Sequence, residues 1–392
     1  NGYNVAVGFE AGKSVSTGVQ NVLIGGLAGD AIIGADNNVA LGYNSLSATT
    51  VGADNIAIGK DALETNVLGS ASIAIGSLAL EDQVPSGTGN VYNVAIGHWA
   101  GKQITTGNEN TIIGGLAGDA LTTGSANVAV GYLALSAEDA HGTNTAIGFK
   151  TLRVQDAGAN AYNVAVGYQT GENVTTATDN VLVGAFAGDA LTTGPYNVAI
   201  GRSALSLEDA YGYNVAIGAF ALLNQNAADN AFNVAVGYNA GQAITTGIQN
   251  VIMGGSAGDA LTTGSKNVAI GHLALSAEDA HGDNVAIGHS ALTTLDAGAS
   301  GLNCAVGYFA GESVTTGVKN TLIGAQAGDA ITEGFNNIVV GYNAAASAVD
   351  VDNEITLGDA NINAFRCADQ SIAALSDGRD KTDIKNSSYG LE

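Results

Sequence analysis

The sequence predicts an all-β chain, a parallel β-solenoid or β-roll of about 21 rungs, and three observations support this fold class. A five-residue motif, Asn-Val-Ala-Ile-Gly in its commonest form, occurs twenty-one times, and most copies follow a constant 17-residue period. Of the 392 residues, 56 are glycine and 2 are proline. Hydrophobic residues make up 46% of the chain but aromatic residues only 6%, which favours thin, stacked coils over a thick core.

The spacing of the motif defines a larger unit of four rungs. The period widens by four positions before Asn93 and by two before Asn163, Asn233 and Asn303, so a 70-residue pattern repeats from Asn93 onward. We call the members of each unit its first to fourth rungs, which in the first unit begin at Asn93, Asn110, Asn127 and Asn144. We expect each coil to contain two or three short strands joined by tight corners.

The strand motif predicts one buried face. The second and fourth positions, for example Val94 and Ile96, are nearly always aliphatic, and alternate residues of a strand point to the same side. We therefore expect this Val/Ile face to form the core. Cys304 occupies a valine position of this face, which predicts a small buried apolar side chain.

The first and last positions of the motif predict structural roles. Asparagine opens nineteen of the twenty-one rungs, and stacked asparagines form amide ladders that satisfy turn backbone groups. The closing glycine never varies, so we expect a positive φ or a close backbone approach at each corner. Representative positions are Asn93, Gly97, Asn163, Gly167, Asn233 and Gly237.

Two further columns suggest close packing. Twenty of the twenty-one rungs have a small residue three positions after the glycine, which faces either the opposite wall of its own coil or a neighbouring chain. In second rungs the third motif position is Leu or Ile, whereas it is Ala in most other rungs. In the same rungs the residue after the glycine is Gly or Ala, whereas elsewhere it is often Tyr, Phe or His. This compensation predicts that the two columns share one space outside the Val/Ile core, most simply an interface between chains. Because thin coils bury little surface alone, we expect an obligate homo-oligomer.

Composition restricts the partners. Lys and Arg total 12 against 36 Asp and Glu, a formal net charge of -24, which argues against nucleic acid and anionic membranes. No apolar run approaches the ~20 residues of a membrane span, and we expect no membrane insertion and no cofactor. The five histidines lack metal-ligand spacing in the sequence, so no metal site is predicted and surface or interface packing is favoured.

Recurrent acidic residues have alternative interpretations. The aspartate five positions after the glycine of second rungs, as at Asp119, either binds calcium or, as we favour, hydrogen-bonds its own backbone in a turn. The Glu-Asp pairs of third rungs, at residues 138–139, 208–209 and 278–279, predict a solvated corner.

The extra residues that lengthen four of the rung spacings predict loops that project sideways from the coil. The candidate binding residues on them are Asn160, Tyr162, Asn230 and Phe232. Such loops would contact a receptor or another fibre, or they are merely tolerated insertions.

The motif with a small residue three positions later, as in residues 197–204, resembles the head repeats of trimeric autotransporter adhesins and, more closely, the longer repeats of phage tail-fibre proteins. The resemblance covers residues 1–358 and implies a homotrimeric β-roll rod. The rungs of the adhesin family are shorter than the rungs of this chain.

The C-terminal residues 375–392 resemble the start of an intramolecular chaperone domain of the peptidase S74 type. In that family a Ser and a Lys five positions later form a self-cleaving dyad, which implies catalytic roles for Ser376 and Lys381. Asp380 stands where the family commonly has an apolar residue. We accordingly divide the chain into a shaft (1–358), a transition segment (359–375) and the start of a chaperone segment (376–392).

These features predict a structural and adhesive shaft rather than an enzyme, apart from a single self-cleavage. The leading hypothesis is a phage tail fibre in the extracellular virion tail, which trimerises and binds a host cell-surface receptor, with glycans among the candidates. The alternative is a bacterial or archaeal surface adhesin or extracellular filament.

Overall fold

The computed structural model describes residues 2–364, in which every regular element is a three-residue β-strand. The strands are β1 Val5–Val7, β2 Val22–Ile24, β3 Val39–Leu41, β4 Ile56–Ile58, β5 Ile73–Ile75, β6 Val94–Ile96, β7 Thr111–Ile113, β8 Val128–Val130, β9 Thr145–Ile147, β10 Val164–Val166, β11 Val181–Val183, β12 Val198–Ile200, β13 Val215–Ile217, β14 Val234–Val236, β15 Val251–Met253, β16 Val268–Ile270, β17 Val285–Ile287, β18 Cys304–Val306, β19 Thr321–Ile323, β20 Ile338–Val340 and β21 Ile355–Leu357. The predicted solenoid of 21 rungs is confirmed.

Successive strands pair in parallel along one continuous sheet. Val5 lies opposite Val22, and each later strand repeats this register with its neighbour. The register survives the longer spacings, since Val164 lies opposite Thr145 and Val94 lies opposite Ile73, each pair across a lengthened rung. The extra residues therefore leave the ladder between rungs undisturbed.

Each rung contains one strand, fewer than the two or three expected. The remainder is a chain of turns whose backbone groups still bond to the adjacent rungs. Leu133 and Leu135, two and four positions after a corner glycine, have φ values of 55° and 52°. The Leu133 amide donates to the Gly115 carbonyl of the preceding rung, and the Leu135 amide donates to the Thr151 carbonyl of the next. These bonds on both sides offset the cost of left-handed backbone at leucine.

The core lies on the opposite side of the strand from the predicted one. Ala95 in the third motif position is fully buried, whereas Val94 is half-buried and Ile96 is 36% exposed. Ala100, three positions after the corner glycine, is also fully buried within the same coil. Branched residues from later in each rung, such as Ile104 and Leu121, fill the interior. The third motif position faces inward beside them, and the Val/Ile positions face outward. The prediction of a buried Val/Ile face was wrong.

The volume compensation is real, but its partner column was misassigned. A Cβ atom placed on Gly171 or Gly188 would lie 2.9 Å from a δ-methyl group of Leu182. These glycines stand four positions after their corners, where third and fourth rungs have leucines such as Leu205 and Leu222, both fully buried. The large third-position residue of a second rung therefore fills core space that Leu occupies elsewhere. The exchange takes place inside one coil and not in a space between chains.

Candidate functional surfaces

The outer side of the sheet carries a mainly apolar surface along the ladder, with charged side chains such as Lys60 and Arg202 at its margins. Because strand side chains alternate, the second and fourth motif positions share this side with the residue before the asparagine and the residue after the glycine. We call these four columns the strand face. Its aliphatic members include Val164 and Ile200, each 37% exposed, and Ile323, 41% exposed. Cys304 lies here half-buried, so it is not the enclosed residue that was expected.

Aromatic side chains stack along both margins of the strand face. In the column after the glycine, Phe149 stacks on Tyr132 and Tyr168, with ring centroids 5.8 and 5.2 Å away. In the column before the asparagine, Tyr213 lies 5.1 Å from both Tyr196 and Phe232. These rings remain about half exposed. An exposed apolar surface of this length is typical of an interface.

The asparagine ladder is confirmed at all three representative positions. Asn93, Asn163 and Asn233 are fully buried. The Oδ1 atom of each accepts the backbone N–H of the asparagine that opens the next rung, at 2.8 to 3.0 Å. The Nδ2 atom of each donates to a carbonyl near the end of its own rung, at 2.7 to 2.8 Å. Each side chain thus satisfies backbone groups in its own rung and in the next.

The corner glycines meet both predicted requirements. Gly97, Gly167 and Gly237 have φ values of 140°, 144° and 143°. A Cβ atom on Gly97 would lie 2.4 Å from the carbonyl oxygen of Gly114, the corner of the next rung. Side chains are therefore excluded by backbone conformation and by stacking together.

The insertion loops project, although not all of their predicted binding residues do. Added Cβ atoms on Gly158 and Gly298 would contact no described residue within 4 Å. Tyr162 and Phe232 instead belong to the strand face, 55% and 52% exposed. The candidate amides have structural bonds: Asn160 Oδ1 accepts the Gly142 N–H at 3.1 Å, and Asn230 Oδ1 accepts the Gly212 N–H at 3.2 Å. Receptor binding by these loops stays a prediction.

The acidic columns divide into half-buried aspartates and fully buried glutamates. Burial raises the pKa of Asp119, while its own backbone amide lowers it, and Asp119 Oδ1 is shielded from solvent without a hydrogen-bond partner among the described residues. The turn interpretation of this aspartate stays a prediction. Glu138, Glu208 and Glu278 are fully buried while their Asp neighbours are exposed, so the solvated corner was wrong for the glutamates.

A buried polar chain links third and fourth rungs to the asparagine ladder. Glu208 Oε2 accepts from Gln225 Nε2 at 3.1 Å, and Gln225 Oε1 accepts from Asn233 Nδ2 at 3.0 Å. Glu138, Gln155 and Asn163 repeat this arrangement. Burial is the main cause that raises the pKa of Glu208, while its hydrogen bonds lower it. The sequence signal that was missed is a column, seven positions after the glycine, that changes from aliphatic to Glu and Gln in these rungs.

The histidines occupy two environments. His272 and His289 stack on the strand face with ring centroids 5.3 Å apart, as packing predicted. His141 and His281 instead lie beside the buried Glu138 and Glu278, with Nδ1–Oε1 distances of 3.5 and 3.2 Å. The spacing of residues in the sequence did not indicate this second environment, because the carboxylates around each histidine come from two rungs.

Comparison with known proteins assigns no family. No protein-family model matches the chain, and no curated protein matches it. Within residues 2–364, no helix has the length and apolar character needed to cross a membrane. Ser376 and Lys381, together with the whole proposed chaperone segment, lie outside the described residues.

Proposed function

We propose that this chain is the shaft of a homotrimeric extracellular fibre of the phage tail-fibre type. The observation that supports it most strongly is the centre of the strand face, where the fourth motif position is an apolar side chain, half-buried or exposed, in all 21 stacked rungs. The fold is an extended ladder with contacts between neighbouring rungs, which suits a spacer or rod. The number of three chains and the tail-fibre type rest on the resemblance of the repeats.

Association through the strand face supplies the burial that one coil lacks. Ile200 and Ile217 are 37% and 36% exposed. Completing the burial of two such side chains contributes roughly 1 to 2 kcal/mol per rung. Summed over about twenty rungs, even a fraction of this would hold chains together against the cost of association.

Host attachment is the adhesive part of the proposal. The insertion loops recur once in each 70-residue unit and project from the ladder at Gly158 and Gly298. Three chains would present each loop three times, and repetition along the rod would add avidity to weak contacts with a cell-surface receptor.

Light scattering combined with denaturation tests the assembly. The native protein is expected to have three times the chain mass of 38.8 kDa, and a stable folded monomer would contradict the proposal. Ile200→Asp places charge on the strand face and is expected to lower the denaturation midpoint. Leu207→Asp, at a residue 50% exposed but outside the strand face, is the matched control and is expected to leave it nearly unchanged.

Self-cleavage completes the proposed maturation of the trimer. A lysine of lowered pKa accepts the serine proton as the hydroxyl attacks a neighbouring peptide carbonyl. In the full-length protein with its downstream domain, mass spectrometry is expected to show cleavage in the parent and in Ser371→Ala, but none in Ser376→Ala. The same cleavage state in all three proteins, cleaved or uncleaved, would refute Ser376 as the nucleophile.

A further inference from the structure

Two groups of metal-ligating side chains lie where third rungs meet fourth rungs. One contains Glu138, Asp139, His141 and Asp156, and its four ligand atoms all lie within 4.8 Å of one another. The other, two units later, contains Glu278, Asp279, His281 and Asp296 with the same closeness. In each group the glutamate is buried, the histidine is half-buried and both aspartates are exposed.

The middle unit, which lies between these two groups, keeps only two of the four ligands. It keeps the glutamate and the adjacent aspartate as Glu208 and Asp209, but Tyr211 replaces the histidine and Asn226 replaces the second aspartate. Glu208 still accepts the backbone N–H groups of Tyr211 and Ala227, so the structural role of the glutamate needs neither missing ligand. The histidine and the aspartate are thus present together or absent together, which a shared ligand explains.

Within the described part of the chain the buried glutamates have no lysine or arginine partner, and in the first group one histidine nitrogen has no hydrogen-bond partner. His141 Nδ1 is shielded from solvent, has no hydrogen-bond partner among the residues that the structure describes, and lies 3.5 Å from Glu138 Oε1. Among residues 2–364 no Lys or Arg forms an ion pair with Glu138 or Glu278. In the later group Leu295 replaces the glutamine that bonds the other glutamates. Among residues 2–364, Glu278 Oε2 therefore accepts only the Ala297 N–H, at 3.3 Å, while Oε1 accepts the His281 N–H at 3.0 Å. A nearby cation would stabilise a buried carboxylate that has no basic partner.

We propose that each of these two groups binds one divalent transition-metal ion, with Zn²⁺ as the reference ion. One imidazole and three carboxylates form a mixed N/O set that suits zinc and its first-row neighbours, whereas Ca²⁺ and Mg²⁺ take oxygen ligands alone. Zn–ligand bonds near 2.1 Å place tetrahedral ligands about 3.4 Å apart, so the set must contract. The exposed Asp139 and Asp156 are free to move inward.

The bound ion would connect one rung to the next at the base of an insertion loop. In the first group Asp156 immediately precedes the loop that contains Gly158, while the other three ligands belong to the rung before it. The ion would therefore hold two loops per chain more rigidly than the loop of the middle unit. This inference concerns ligands within one chain and is independent of the trimer.

Equilibrium dialysis of the full chain against Zn²⁺, followed by metal analysis, tests the proposal. Two ions per chain are expected in the parent. The double variant His141→Tyr/Asp156→Asn copies the middle unit, so it is expected to fold normally and bind one ion. The reciprocal variant Tyr211→His/Asn226→Asp is expected to bind three.

The control removes histidines outside the groups. His272→Tyr/His289→Tyr is expected to keep both ions, and circular dichroism verifies that every variant is folded. Unchanged stoichiometry in the His141→Tyr/Asp156→Asn variant would overturn the proposed site. Displacement of Zn²⁺ by equimolar Ca²⁺ would overturn the proposed class of cation.

Discussion

Gly97→Ala tests the geometry of the corner most sharply. Gly97 has a φ of 140°, and the new Cβ atom would lie 2.4 Å from the Gly114 carbonyl oxygen and 2.6 Å from its carbon. Real Cβ contacts are almost never closer than 3.0 Å, so the two rungs must separate by about 0.6 Å at this point. The hydrogen bond from the Gly114 amide to the Ile96 carbonyl, now 2.7 Å long, lies in the same corner.

The expected cost follows from these two effects. Unfavourable backbone conformation at a residue with a side chain contributes about 1 to 3 kcal/mol. A weakened buried backbone hydrogen bond contributes about 1 to 3 kcal/mol more. We therefore expect a local destabilisation of about 2 to 6 kcal/mol, which corresponds to roughly a thirtyfold to more than ten-thousandfold loss of amide protection.

Hydrogen exchange measured by mass spectrometry is the suitable assay, because a solenoid opens locally. Protection is expected to fall in strands β6 and β7 and to recover within a few rungs. Gly87→Ala is the matched control, since an added Cβ there contacts nothing within 4 Å in the described part of the chain and its φ is not positive. If the two variants exchange alike, the stacked-corner explanation of the invariant glycine is wrong.

Two further predictions concern the core. Leu182→Ala is expected to destabilise the protein by about 2 to 5 kcal/mol in chemical denaturation, and adding Gly188→Leu is expected to recover part of the loss; an additive second loss would contradict the core exchange. Burial raises the pKa of Glu208 above its ordinary value of 4.5, so native protein binds this proton more tightly than unfolded protein. Its contribution to stability therefore falls as pH rises from about 4.5 through the raised pKa. The melting temperature of Glu208→Gln relative to the parent is expected to increase across that window, and a difference that does not vary with pH would refute this.

The sequence was most informative where one residue has one structural role. The invariant glycine and the opening asparagine were predictable because their backbone requirements repeat in every rung, as Gly97 and Asn93 show. The orientation of the strand was not predictable from apolar character, because both of its sides are apolar. Only the stacked structure decides between them, because it places Ala95 inside the coil and Ile96 outside.

The two groups that contain His141 and His281 could be recognised only from the stacked structure. Their ligands come from two rungs, and Asp156 follows His141 by almost a full rung, a separation that suggests no metal site in a linear sequence. Stacking brings the ligand atoms within 4.8 Å of one another. The paired substitution by Tyr211 and Asn226 was visible in the sequence, but it had no meaning until the residues were known to be neighbours.

The reactivity of Cys304 tests the central claim most directly, because its thiol lies on the strand face in β18. The measurement uses the native protein with Cys367→Ser, so that Cys304 is its one thiol, and compares it with a Cys304→Ser/Ser300→Cys variant on the exposed insertion loop. If the strand face is buried between chains, Cys304 is expected to react with a maleimide at least about a hundredfold more slowly than the loop thiol. Comparable rates for the two thiols would show an open strand face and contradict the proposed assembly.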